Sequence, residues 1–190
     1  LVETWNRTQA PDRFPPRIKD LLHELTKDRI KDPGELAKSA VRCLDEYAKC
    51  VEGESIVAQE FMDIAWAVAI SRPLMATVSN AVLAVVKDVR STNGKVKAFP
   101  ARALHDAVSR FCMGIDDEAR RLRDHVVHLL QAALRRSSSL VTGLRILTHS
   151  DSPGIREALL SFHRKTGSAI GNVFICESRP RYEGQALASY

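Results

Sequence analysis

The sequence predicts a mainly α fold, in which a helical domain with a long connecting helix is followed by the first βαβ unit of an α/β domain. Apolar residues recur at helical spacing through most of residues 17–136, the period of amphipathic helices. After Ser137 the pattern changes to two short apolar runs rich in branched residues, separated by a helical segment. Because two parallel strands do not form a stable sheet alone, we expect the second domain to be incomplete.

Composition and charge narrow the class of protein. The chain has 190 residues, of which 45% are apolar and 27% are charged. This length suits one domain, or one domain and part of another, and the composition argues against a disordered tail or a membrane bundle. The formal charge is +5, and the whole basic excess follows Lys95. That excess indicates either a solvated basic face or attraction to phosphate-bearing partners or acidic protein surfaces.

The N-terminal segment and the longest apolar stretches bear on targeting. Residues 1–16 have neither the basic nor the apolar region of a secretory signal. Charged residues interrupt the apolar stretches before they reach the roughly 20 residues of a spanning helix. We therefore expect a soluble, cytoplasmic protein with no membrane partner, whose cysteines are free thiols. The cysteines are Cys43, Cys50, Cys112 and Cys176.

The helical domain, residues 17–136, is expected to follow an extended, proline-containing lead over residues 1–16. The first helix is predicted over residues 17–30, and Asp32-Pro33-Gly34 breaks its pattern. The second is predicted over residues 36–51, with one apolar face.

Two further helices follow in this domain. Residues 55–70 are apolar on nearly every side, which predicts a buried central helix. Pro73 is predicted to begin another helix, which ends before the turn-like residues 91–94.

The longest pattern predicts one amphipathic helix from about residue 100 to residue 136. Its apolar stripe consists of Leu104, Val108, Phe111, Ile115, Ala119, Leu122, Val126, Leu129 and Ala133. Its outer face carries Arg110, Arg120, Arg121, Arg123, Arg135 and Arg136. The stripe is expected to pack on the preceding helices, and a coiled-coil strand is the alternative.

The remaining residues, 137–190, are predicted to begin the α/β domain. Strands are predicted over residues 144–147 and 172–176, with a helix over residues 153–165 between them and another helix beginning near Tyr182. A strand, a helix and a strand of these lengths form a βαβ unit with a parallel pair.

The ends of the two predicted strands are the best candidates for a phosphate site. Ser152 precedes Pro153, which suits the first helical position, and a helix N-terminus at the carboxyl edge of a sheet attracts anions. Glu177 and Arg179 follow the second strand, and an arginine can bind a phosphate bidentately. The alternatives are that Ser152 only caps the helix, and that Glu177 and Arg179 form a structural ion pair.

Other kinds of site receive little support. A Ser-His-acid triad is not indicated, because no G-x-S-x-G elbow is present. His125 and His128 are interpreted as surface or core histidines, and no metal site is expected. The sequence has no Walker loop and no G-x-G-x-x-G, and only 6% of its residues are aromatic. We therefore expect no cofactor and no direct nucleic-acid binding.

Residues 146–152 and 177–188 carry a family resemblance. The first segment reads Ile-Leu-Thr-His-Ser-Asp-Ser, and the second reads Glu-Ser-Arg-Pro, followed by Glu183-Gly184 and Leu187-Ala188. Both segments resemble signatures of the alpha, beta and delta regulatory subunits of translation initiation factor 2B. Arg72-Pro73-Leu74 with the helix after it resembles another motif of that family. The resemblance implies a helical domain joined by a long helix to a Rossmann-like domain, of which this chain holds the start.

The same superfamily contains ribose-1,5-bisphosphate isomerase and 5-methylthioribose-1-phosphate isomerase, so the resemblance implies one of two functions. In the isomerases a cysteine matches Ser150 and takes part in proton transfer, whereas serine is a far poorer acid or base near neutral pH. The partner aspartate of that cysteine would lie past the last residue here. Their Arg-Gly-Ala phosphate loop corresponds to residues 31–34, where Asp32 introduces a carboxylate. A noncatalytic subunit is therefore the first hypothesis, and an aldose–ketose isomerase with Arg72, Ser150 and Arg179 around a sugar phosphate is the alternative.

For the first hypothesis, the resemblance implies related subunits and initiation factor 2 as partners, in control of guanine-nucleotide exchange, with oligomers formed at full length. Arg120, Arg121 and Arg123 are the candidates for contact with a phosphorylated or acidic partner, and a solvated face is the alternative. A sugar phosphate or nucleotide phosphate is the ligand class for the strand-end site.

Overall fold

The computed structural model is mainly α, with short strands and a partial α/β unit, as predicted. It describes residues 14–28, 32–51, 55–94, 96–136, 143–149, 152–167, 170–177 and 182–189. The chain divides into two compact units, Leu1–Ile115 and Asp116–Tyr190, and the division falls inside the long helix.

Two amphipathic helices open the first unit. Helix α1, Pro16–Lys27, begins with a proline at its first position, where the missing N–H costs nothing. Helix α2, Pro33–Cys50, begins in the same way behind Asp32. The predicted last residue of the first helix, Ile30, and most of the predicted extended lead lie outside the described residues.

A short strand pair corrects the prediction that residues 55–70 form one helix. Strand β1, Ser55–Val57, pairs antiparallel with β2, Ala98–Pro100, and places Ile56 opposite Phe99. Both side chains are buried, and the Phe99 ring packs edge-on against Phe61 at 5.3 Å between centroids. Hydrophobic periodicity does not reveal this pairing, because the two partners are more than forty residues apart in the sequence.

Helix α3, Ala58–Ile70, therefore starts later than predicted, and it is not buried on every side. Phe61 and Ile64 face the core, whereas Met62 and Trp66 are exposed, the indole by 68%. A helix on the surface of a small bundle keeps one face in solvent even when that face is apolar.

Helix α4, Ala76–Asn93, starts three residues after the predicted Pro73, because residues 72–75 form a turn closed by a 2.9 Å bond from Met75 N–H to the Arg72 carbonyl. The helix continues through three of the four residues that were predicted to form a turn, and it ends at Asn93, before Gly94. Ser91 and Thr92 each donate a hydroxyl hydrogen bond to the Asp88 carbonyl, and these bonds satisfy both side chains within the last helical turn.

The core of the first unit lies among these four helices. Helix α2 packs against α1, α3 and α4, and α3 packs against α4. Burial of each aliphatic side chain stabilises the unit by about 2 kcal/mol. The fully buried aliphatic side chains of this unit include Ile18, Leu22, Leu36, Val41, Leu44, Ile56, Val68, Val78, Val82, Val85 and Leu104.

The long helix α5, Ala101–Arg136, is one uninterrupted element of 36 residues, about 54 Å in length. Leu104 and Val108 are buried in the core of the first unit, as the apolar stripe predicted, and Phe111 and Ile115 pack partly against it. Further along the same stripe the pattern changes, because Leu122 and Leu129 are more than half exposed.

The second unit contains the predicted βαβ unit. Strand β3, Leu144–His149, and strand β4, Ile170–Cys176, are parallel neighbours, and α6, Pro153–Thr166, connects them. The short helix α7, Glu183–Ala188, follows β4. Ala158 and Phe162 of α6 are buried.

Part of the two-stranded sheet is open to solvent. Leu147 and Phe174 lie opposite each other in the parallel register and are 72% and 45% exposed. The Arg145 guanidinium lies over the Phe174 ring, 5.5 Å from its centroid. A cation on an aromatic face shields part of the apolar surface that a larger sheet would bury.

Across both units, no described helix combines the length and the apolar composition that crossing a membrane requires.

Candidate functional site

The candidate phosphate site lies where β3 and β4 end. The two strands are parallel and their last residues, His149 and Cys176, are paired, so the chain leaves both strands at the same edge. This is the arrangement on which the sequence prediction rested. Two of the predicted site residues, Ser150 and Arg179, lie outside the described residues.

Ser152 occupies the predicted N-cap position of α6, with φ −112° and ψ 114°. Its carbonyl accepts the hydrogen bond of Arg156 N–H at 2.9 Å, which begins the helical ladder. Its hydroxyl forms no capping hydrogen bond, so the side chain leaves the first N–H groups of α6 to other partners.

Glu177 connects the end of β4 to α7. Its Oε1 accepts a hydrogen bond from Gly184 N–H at 3.1 Å. A Cβ at position 184 would lie 2.9 Å from the Cys176 carbonyl oxygen, so only glycine allows this close approach. Tyr182, at φ 55°, turns the chain into α7 through the left-handed region. The carboxylate that the sequence suggested for a phosphate site thus has a structural partner.

Arg72 lies in the turn between α3 and α4, and its guanidinium is directed at the C-terminal end of α1. Nη1 donates to the carbonyls of Leu25, at 3.3 Å, and Thr26, at 3.1 Å, and also to the Asp28 carbonyl. Nη2 contacts the Met75 sulfur at 3.2 Å. Cations at a helix C-terminus satisfy carbonyls that have no partner within the helix. These contacts give Arg72 a role in holding α1 against the α3–α4 turn.

Asp32 caps the N-terminus of α2. Its Oδ1 accepts hydrogen bonds from Gly34 N–H at 2.8 Å and from Glu35 N–H at 3.1 Å. A carboxylate at this position satisfies two N–H groups that have no helical partner and interacts favourably with the helix dipole. The residues that the sequence treated as a break are therefore an N-capping motif.

The basic face of α5 is partly neutralised by acidic neighbours on the same helix. Arg120 forms an ion pair with Asp117, and Arg123 Nε lies 3.7 Å from an Asp124 carboxylate oxygen. Arg121 is exposed, and no carboxylate of the described residues forms an ion pair with it. Of the three predicted contact residues, Arg121 thus retains the most available charge.

Three roles were not predicted from the sequence: the capping by Asp32, the contacts of Arg72 with the carbonyls at the end of α1, and the close approach of Gly184 to β4. The sequence does carry a signal for the first of these roles, because an Asp directly before Pro and Gly is typical of a helix N-cap. The contact of Gly184 carries no local signal, because it depends on how α7 folds back along β4.

The comparison of the chain with protein-family profiles decides its family. The profile of the Initiation factor 2 subunit family matches residues 21–190, which is most of the chain. The chain belongs to this family. A search of curated protein sequences gives no significant match.

Solved structures of eIF2B proteins share the fold of the chain. The translation initiation factor eIF-2B of Pyrococcus horikoshii OT3 is 22% identical with a TM-score of 0.67, over 93% of this chain and 56% of that one. The eIF2B delta subunit of Chaetomium thermophilum is 18% identical with a TM-score of 0.61, over 94% of this chain and 64% of that one.

A third similar structure is an assembly. The tetrameric eIF2B beta2-delta2 complex of C. thermophilum contains a chain that is 16% identical with a TM-score of 0.64, over 98% of this chain and 58% of that one. The present chain therefore spans less than two thirds of the length of these family members.

Proposed function

We propose that the chain is part of a noncatalytic regulatory subunit similar to the alpha, beta and delta subunits of initiation factor 2B. It acts in the cytoplasm, through protein–protein contacts with related subunits and with initiation factor 2, in the control of guanine-nucleotide exchange. The family match over residues 21–190 is the observation that carries this proposal. The similarity to a chain of the beta2-delta2 complex supports related subunits as partners in an oligomer.

The capping of α2 supports a noncatalytic role. The isomerases that the sequence resembles place a phosphate loop at residues 31–34, and here the Asp32 carboxylate accepts the Gly34 and Glu35 N–H bonds. A phosphate would have to displace this carboxylate and would be repelled by it. Serine at position 150 supports the same conclusion, because its hydroxyl is a far poorer acid or base near neutral pH than the thiol of a cysteine.

The exposed part of the α5 basic face is the proposed contact for a phosphorylated or acidic partner. Arg121 contributes an available guanidinium, and Arg120 can exchange its Asp117 partner for a phosphate, because an exposed ion pair stabilises a helix by less than about 1 kcal/mol. Arginine suits this role because its planar donors bind phosphate bidentately.

The first prediction tests this face. Arg120→Glu combined with Arg121→Glu should weaken binding of phosphorylated initiation factor 2 by about tenfold in a quantitative pull-down, because attraction becomes repulsion. The matched control reverses two exposed arginines elsewhere, Arg42→Glu with Arg102→Glu, and should leave binding unchanged. Circular dichroism checks that both variants keep the helical content of the parent chain.

Equal binding by the parent and the Arg120/Arg121 variant would refute the role of the face. An isomerase assay on the full-length protein tests the proposal of a noncatalytic role as a whole. Turnover of ribose 1,5-bisphosphate that Ser150→Ala abolishes would establish the enzyme and overturn the noncatalytic role.

A further inference from the structure

A half-open groove of the first unit, lined by none of the predicted site residues, has the form of a small-molecule site. It lies where α3, the end of α4 and the segment leading into β2 meet, and its volume is about 320 Å³. This volume lies at the lower end of the range of volumes found for ligand pockets. At the roughly 30 Å³ that one water occupies in the liquid, this volume corresponds to about ten waters, which is room for a ligand of about ten non-hydrogen atoms.

The inner wall of the groove is apolar and preformed. Phe61, Val89 and Phe99 line it and are buried, and the two rings are fixed in edge-to-face contact. A 2.9 Å bond from Ala58 N–H to the Lys97 carbonyl joins α3 to the segment before β2. Asn93 closes the end of α4 through a 2.9 Å bond from its side-chain amide to the Val89 carbonyl. A ligand would therefore meet an ordered wall, which lowers the entropic cost of binding.

Two cations, Arg90 and Lys97, line the groove beside this wall, and both are exposed. The described lining residues include no carboxylate, and no described carboxylate forms an ion pair with either cation. Arg110 of α5 differs, because its guanidinium forms an ion pair with Asp88 at 2.9 Å. The groove thus combines an apolar interior with two available positive charges.

We propose that this groove binds a small amphiphilic anion, a molecule with an aliphatic or aromatic body of up to about ten non-hydrogen atoms and one carboxylate. The body contacts Phe61, Val89 and Phe99, and the carboxylate pairs with Arg90 and Lys97. The small volume favours such a molecule over a protein segment, which would need a longer apolar surface to bind stably. This inference is independent of the proposed function.

The experiment titrates the isotope-labelled chain with octanoate and with its neutral analogue octanol, followed by NMR. Octanoate should shift the signals of the groove residues with a Kd of about 1 mM, the affinity typical of a ligand of this size. Octanol should bind at least about fivefold more weakly, because it lacks the charge contacts. Arg90→Gln with Lys97→Gln should reduce octanoate affinity by about fivefold and leave octanol affinity unchanged.

Two matched controls separate the groove from general effects. Arg42→Gln with Arg102→Gln removes the same charge from exposed positions outside the groove and should change neither affinity. Ala58→Leu fills the groove and should abolish binding of both ligands, whereas Ala84→Leu, at an exposed position of α4, should not.

Three results would overturn the inference. The first is that octanoate shifts no groove signal at millimolar concentration. The second is equal affinity for octanol and octanoate. The third is binding of an acidic amphipathic peptide to the groove when octanoate does not bind.

Discussion

Among single residues, Asp32 has the clearest physical role in the described part of the chain. Its carboxylate accepts two backbone N–H bonds at the start of α2, which packs against the other three helices of the first core. The capping hydrogen bonds therefore stabilise α2, the helix that contacts most of that core.

Replacement of Asp32 tests this role. Asp32→Ala should lower the free energy of unfolding by about 1 kcal/mol, because two N–H groups lose their acceptor. Asp32→Asn keeps an acceptor oxygen and should cost only a few tenths of that amount. Urea unfolding followed by circular dichroism measures the difference, with Glu118→Ala, at an exposed position of α5, as the control. Equal stability of the Ala variant and the parent would show that the cap is dispensable.

Residue-level prediction from the sequence succeeded for positions and less well for contacts. Ser152 was placed correctly at the N-cap of α6, but its hydroxyl does not make the capping bond. Arg72 was selected by its family motif, whereas its contacts with the α1 carbonyls depend on residues more than forty positions away. Long-range contacts of this kind have no signature in local sequence.

Among the elements, the pairing of β1 with β2 has the largest effect on the first unit. It fixes where α3 begins, and it brings the Phe99 ring onto Phe61. Three-residue strands have little stability of their own, so the buried side chains that they carry must hold the pair together.

The strand pair should therefore be sensitive to Phe99. Phe99→Ala should destabilise the first unit by about 3 to 5 kcal/mol, because it removes a buried ring and leaves a cavity. Phe99→Leu preserves most of the apolar volume and should cost less than about 1.5 kcal/mol. Thermal unfolding measures both variants. Leu74→Ala, at a position 87% exposed, is the control and should change little. A Phe99→Ala variant as stable as that control would contradict the role of the pair.

The accuracy of element prediction followed the length of each pattern. The bounds of α5 were predicted almost to the residue, because the stripe repeats over about eight helical turns, from Leu104 to Ala133. The short strands β1 and β2 were missed, because three residues do not establish a period. The prediction of a fully buried α3 was wrong, because composition alone does not show which apolar face remains in solvent.

At the scale of the whole molecule, the two units differ in how much apolar surface they bury. The first unit has a continuous core drawn from all of its helices. In the second unit, the described buried apolar side chains are Val127, Ala158, Phe162 and Leu187, while Leu147 and Phe174 of the sheet are exposed. The sequence predicted this difference, because one βαβ unit does not supply a complete sheet.

Hydrogen exchange should separate the two units. Backbone amides of α2, α3 and α4 should exchange most slowly, because opening them exposes the core. Amides of β3 and β4 should exchange faster, because the sheet has two strands and exposed apolar side chains. Mass spectrometry of the exchanged chain tests the order. Equal or greater protection of the strands would contradict this account of the stability of the two units.

The exposed indole of Trp66 provides an optical reporter. Trp66 is one helical turn from Met62, which lines the groove, and only one other tryptophan, Trp5, occurs in the sequence. The emission of an indole in water shifts to shorter wavelength when a neighbouring molecule covers it. After Trp5→Phe, the tryptophan fluorescence of the chain comes from Trp66 alone, and it reports directly on any molecule that covers the outer face of α3.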